Sequence, residues 1–185
     1  ALISSRYRQV LITLQILALL GLSVGCRKSS EPPKDHTTIK IGFFGDLSGP
    51  TFNFGESAKN GILMAADEIN LSGGIDGRRI DVVIDDDGGS PEKAATLTAR
   101  LIDQDKVVAI IAGGTSGNSR AAAPKAQSAK IPLISPSSTD PAVTQVGDYI
   151  FRACFVDAFQ GEVMARFAAN TLKAKKAAIL FDFNS

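Results

Sequence analysis

From Ile39 onward, short apolar runs alternate with amphipathic stretches of about a dozen residues, and no other feature narrows the possible folds as much. IKIGFF, IDVVID, VVAIIA, IPLISP and YIFRA read as strands, and AAILFD near the end as one more. Between the first two, ESAKNGILMAADEIN sets Ile62, Ala65, Ala66 and Ile69 on one helical face. GPTFNFG ahead of it reads as a turn, and in GGIDGRR behind it Asp76-Gly77 is the turn dipeptide. Ser90 offers an N-cap and Pro91 a first-turn proline for the helix EKAATLTARLIDQ. A third helix is predicted from near Ser119 to Lys130. Pro124 is tolerated there in the first turn or two, but would kink a helix that began earlier. FQGEVMARFAANTLK is a fourth. Such alternation builds βαβ units, so the expected class is α/β, a parallel sheet with helices on both faces. VVAIIA, apolar on both sides, agrees with burial from two directions.

In open parallel sheets ligands gather where the strands end. Those ends are GDLSGP, DDDGGS, GGTSGNS, SPSSTDP and DFNS, all small and polar. Catalysis is poorly provided for. The only histidine, His36, lies ahead of the first strand, so no imidazole base reaches these loops. GGTSG lacks the G-x-S-x-G spacing, and neither G-x-x-x-x-G-K-[ST] nor G-x-G-x-x-G occurs. No enzyme activity and no cofactor are expected. Asp85, Asp86 and Asp87 could ligate a hard cation, yet such a run reads first as a solvated strand end and turn, so no metal is expected.

Reversible binding suits the loops better. Ser116, beside Thr115 and ahead of the third helix, offers a hydroxyl and backbone amides near a positive helix end, which fits a carboxylate. Ser137 and Thr139 in SPSSTD offer oxygens to an ammonium group, and Phe54 a ring face to an apolar side chain or a cation.

The amino terminus reads as an address. SSRYR is basic, VLITLQILALLGL is an apolar stretch of 13 residues, and SVGC closes it at Cys26. Residues 1–25 are thus expected to be a lipoprotein signal peptide with Cys26 as the lipidated residue, although Ser23 stands three places before it where leucine is preferred. An uncleaved anchor is the alternative, and either reading exports the domain. Residues 26–38, polar with two prolines, form a tether. Without Arg6 and Arg8 the charged residues fall from 20 basic and 19 acidic to 18 and 19, a net of −1. No nucleic-acid partner is expected from such a balance. Cys154 is then left without a disulfide partner.

The stretches SGGIDGRRIDVVIDDD, IPLISPSSTDPAVT and YIFRACFVDAFQG, in this order, resemble the periplasmic leucine/isoleucine/valine-binding proteins, solute receptors of ABC importers with the type I periplasmic binding fold. The likeness runs over residues 39–185. It implies a ligand-binding set of Phe54, Thr115, Ser116, Ser137 and Thr139, with Gly114 alongside, where Phe54 replaces a common tyrosine. It places at about Gly89 and Thr115 the disulfide some members carry. It further implies two lobes closing on the ligand. Residues 39–158 would be a first lobe, incomplete, and 159–185 the start of the second, so this stretch alone should bind weakly.

The implied function is that of an extracytoplasmic receptor for a branched-chain or other small amino acid, or a similar carboxylate. Its partners would be an ABC permease in the inner membrane and the membrane itself through a lipid anchor. A ligand-sensing ectodomain of a signalling receptor is the alternative. A sugar-type repressor would need a helix-turn-helix where this chain has an export signal, and a secreted enzyme would need a base from elsewhere.

Overall fold

In a computed structural model the described residues are 38–180. The leader, Cys26, His36 and nearly all of the tether lie outside them, as do residues 181–185. Five strands, β1 (Thr38–Gly45), β2 (Arg79–Asp86), β3 (Ala109–Ala112), β4 (Leu133–Ser135) and β5 (Ile150–Arg152), form one sheet in the order β2-β1-β3-β4-β5. Every adjacent pair is parallel. The order reverses direction beside β1, where the chain crosses from the β2 side to the β3 side. That is where an open parallel sheet leaves a crevice at its carboxyl edge.

Alternation along β1 divides the two faces. Phe44 joins a buried cluster with Leu101, Ile110, Ala122, Ala126 and Leu133 beneath α2 (Pro91–Asp103) and α3 (Ser116–Ala129). Phe43, one residue earlier, points the other way, towards α1 (Phe52–Leu71). This period of two is what a strand imposes. α1 covers β1 and β2 but not β3 and β4. It leaves a groove of about 400 Å³ whose walls include Ile41, Ile62, Ala66, Ile69, Ile111 and Ile134. Of the helical face predicted to be apolar, only Ala66 is buried.

Local signals act as anticipated in two places. The Ser90 hydroxyl accepts from the Lys93 amide at 3.2 Å with Pro91 opening α2. Asp76 and Gly77 both take positive φ, 52° and 75°, between the bridged residues Ile75 and Arg78, as a tight type I′ reversal requires.

Three expectations are corrected. FNFG is not a turn: α1 begins at Phe52. α3 begins at Ser116, so Pro124 sits in its third turn and removes the rung to the Arg120 carbonyl. Residues 177–180 form no strand and pair with none of the described strands; Ile179 and Leu180 are 88% and 101% exposed. An extended run without a ladder partner has nothing to hold it in that form. The fourth helix, α4 (Asp157–Arg166), continues as a π-helical turn over Phe167–Thr171. No helix among the described residues is long and apolar enough to cross a membrane.

Candidate functional site

Three connections meet at the carboxyl edge. The β1–α1 loop and the first turn of α1 supply Thr51 and Phe54, the β3–α3 junction supplies Gly114, Thr115 and Ser116, and the β4 loop supplies Ser137 and Thr139. They surround one cavity of about 210 Å³, so all five residues singled out in the sequence share a rim. A second hollow of about 430 Å³ shares Phe54 and Ser137 and adds Asn53 and Ser57. Phe54 is 62% exposed, a ring standing at the mouth of both. Thr51 and Asn53 carry no signal of a rim position in the sequence, where GPTFNFG reads as a turn. Ser57 lies in the first turn of the predicted helix with nothing to mark it as a rim residue.

The β4 loop is stitched to α3 by hydroxyls. Ser137 Oγ donates to the Gly114 carbonyl at 2.9 Å, and Ser138 Oγ to Ser119 Oγ at 2.8 Å. Ser116 Oγ accepts from the Asp140 amide at 3.3 Å. Hydrogen positions follow from these partners: Ser116 keeps its proton for another acceptor, while Ser137, having donated, turns lone pairs outward. One hydroxyl is therefore set as a donor at a positive helix end, and another as an acceptor across the cavity. This polarity matches a carboxylate on one side and an ammonium on the other.

From behind, the end of β5 and the segment that follows it grip the same loop. Arg152 Nη1 donates to the carbonyls of Ser138 and Asp140, at 3.2 and 2.7 Å, and Nη2 to the Thr144 hydroxyl at 3.1 Å. The Cys154 thiol donates to the Ser138 carbonyl at 3.3 Å, and the Asp157 amide to that of Thr139 at 3.3 Å. Cys154 is a free thiol.

The acidic run behaves differently from its linear reading. Asp85 turns away to pair with Arg100. Asp86 and Asp87 instead join Asp46, each with a carboxylate oxygen within 4.8 Å of the others. Their oxygens all accept from protein donors. Asp46 takes the amides of Gly49 and Thr51 and the Thr51 hydroxyl; Asp86 takes the amides of Leu47 and Gly88 and the Ser48 hydroxyl. Asp87 takes the Gly89 amide and the Asn118 side chain. The trio thereby ties the first two loops to each other and to α3. Burial pushes the Asp46 carboxyl up, but the Thr51 hydroxyl and amide and the Gly49 amide outweigh it, and the group lies below its usual range. The Ser48 hydroxyl, opposed by burial and helped by the Leu47 and Gly88 amides and by Lys93, likewise holds Asp86 down.

Gly55 shows how closely α1 is drawn in. A Cβ there would stand 2.0 Å from the Asp46 carbonyl oxygen, so the glycine that made FNFG look like a turn is what lets the helix start so early.

Comparison with known proteins fits this geometry. Residues 38–185 match the family described as periplasmic binding protein. An amino acid binding protein of Pseudomonas aeruginosa is 34% identical over 177 residues, covering 95% of this chain and 45% of that protein. Among solved structures, the branched-chain amino acid transporter substrate binding protein of Streptococcus pneumoniae, in complex with isoleucine, superposes with a TM-score of 0.71 at 42% identity. The match covers 75% of this chain and 40% of that one. A solute binding protein of an ABC transporter from Rhodopseudomonas palustris, in complex with 3,4-dihydroxybenzoic acid, gives a TM-score of 0.67 at 29% identity over 73% of this chain and 37% of that one. The chain thus spans less than half the length of these relatives. It belongs to the periplasmic binding protein family, with the type I fold of the leucine/isoleucine/valine-binding proteins.

Proposed function

We propose that this chain is the ligand-binding part of an extracytoplasmic solute receptor of an ABC importer, taking a branched-chain or other small amino acid between two lobes. The observation that carries this reading is the single cavity ringed by Phe54, Thr115, Ser116, Ser137 and Thr139, with a donor hydroxyl at the α3 end and an acceptor hydroxyl opposite. Binding is by hydrogen bonds and charge, and no bond of the ligand is made or broken. Ser116 and the first amides of α3 hold the carboxylate. Ser137 and Thr139 receive the ammonium, and Phe54 lies against the side chain. Residues 39–158 act as the first lobe, and residues from 159 on lead into the second. Export through residues 1–25 and lipidation at Cys26 place the receptor at the outer face of the membrane, beside its permease.

Thermal-shift screening of the full-length protein against the amino acids, with aromatic carboxylates included because a relative is named with one, tests the ligand class, since a ligand bound only by the folded state raises the melting temperature. Ser116→Ala is expected to weaken amino-acid binding by about 1–3 kcal/mol in calorimetry. Unchanged affinity would remove that hydroxyl from the site.

A further inference from the structure

Thr115 holds the N-cap position of α3, with the extended backbone that position calls for (φ −74°, ψ 168°), yet its hydroxyl makes no bond to the first-turn amides. A threonine so placed ordinarily accepts from the amide two or three residues on. Here it donates instead, to Asn118 Oδ1 at 3.2 Å. The cause lies beneath. Asn118 is 1% exposed and Asp87 fully buried, and Asn118 Nδ2 donates to Asp87 Oδ2 at 2.8 Å. A carboxylate can only accept, so the NH₂ end of the amide must face Asp87 and its oxygen must face Thr115. Gly114 closes over the pair: a Cβ there would come within 3.3 Å of both Asn118 Nδ2 and Asp87 Oδ2.

We propose that Asn118 is a positioning residue for the ligand's carboxylate. Oriented by Asp87, it draws the Thr115 hydroxyl away from the helix and leaves the first amides of α3 open to an incoming anion. The proposal rests on the receptor reading above and adds to it the group that keeps the anion end vacant. Without Asn118, Thr115 returns to the ordinary capping position and competes with the carboxylate for the same amides.

The test is a double-mutant cycle in the full-length protein, with L-leucine and L-isoleucine as probes in calorimetry. Asn118→Ala should weaken binding about tenfold, the worth of one cap. Thr115→Val, which keeps the shape and removes the hydroxyl, should recover most of that loss in the Asn118→Ala background. A merely structural role for Asn118 predicts the opposite, a double variant no better than Asn118→Ala, and that result overturns the proposal. If Asn118→Ala does not fold, Asn118→Ser, which keeps a small polar side chain but lacks the amide oxygen that holds Thr115, carries the same comparison. Stability gives a ligand-free reading: Thr115→Val should destabilise in both backgrounds. In the wild type it strips the buried Asn118 Oδ1 of its donor, and in Asn118→Ala it removes the restored cap. A Thr115→Val change that is neutral in the Asn118→Ala background overturns the return of Thr115 to the cap. A wild-type protein that binds no amino acid overturns the receptor reading, and with it the ligand half of this one.

Discussion

α2 and α4 are both legible in the sequence as helices, α2 with the sharper apolar stripe, yet they have different fates. α2 buries Ala94, Thr98 and Leu101 against the sheet and α3. α4 buries nothing: Phe159, Val163, Met164 and Phe167 are 47–63% exposed. Periodicity states which face of a helix is apolar, whereas a packed neighbour decides whether that face adds stability. The rim is firm because its loops spring from the half of the chain that has such neighbours.

Three experiments on this chain would break or sharpen the contrast. The largest effect is expected in the core: Leu101→Ala should cost about 2–5 kcal/mol in urea unfolding, whereas Met164→Ala should change stability by about 0.5 kcal/mol or less. Equal losses would mean that α4 is packed after all. Next, the same substitution should have opposite signs in the two regions. Gly55→Ala forces a methyl group into the Asp46 carbonyl and should destabilise by about 1–3 kcal/mol, displacing Phe54 with it. Gly161→Ala in α4 meets nothing within 4 Å and should gain about 0.5–1 kcal/mol in helix propensity. Melting temperatures of the two variants decide. The smallest effect is acid loosening of the rim. Asp46 and Asp86 titrate below their usual value of 3.8 in the folded chain. Their contribution is present above that pH and is lost as pH falls through the lower folded values. Amide exchange at Gly49, Thr51 and Gly88 should quicken in that window, and Asp86→Asn should flatten the response.

The α/β class and the succession of strands and helices along the chain are legible because two-fold and 3.6-fold periods survive in a single sequence. The order of the strands within the sheet comes from the structure. Thr115, Ser116, Ser137 and Thr139 are legible as rim candidates because small polar side chains follow each strand end, whereas Phe54 stands out only as an aromatic among the turn-like residues after β1. The start of α1 is not legible. Gly55 argues against a helix locally, and only the nearby Asp46 backbone explains it. Asp46 and Asn118 were missed for a related reason. They act through partners 3 to 31 residues away, and no spacing rule joins an aspartate after one strand to an asparagine in the third residue of a helix. Residues 177–180, the described part of AAILFD, look like a strand because hydrophobicity marks a strand's willingness to pair and says nothing of whether a partner is present.

Three consecutive peptide oxygens, those of Ser138, Thr139 and Asp140, are grasped by Arg152, Cys154 and Asp157. The stretch that cradles one end of the cavity and the stretch by which the polypeptide departs from the sheet are consequently a single lever. A displacement of Thr139 would strain its bond to the first residue of α4, and a change at Arg152 would loosen the two carbonyls that flank Thr139.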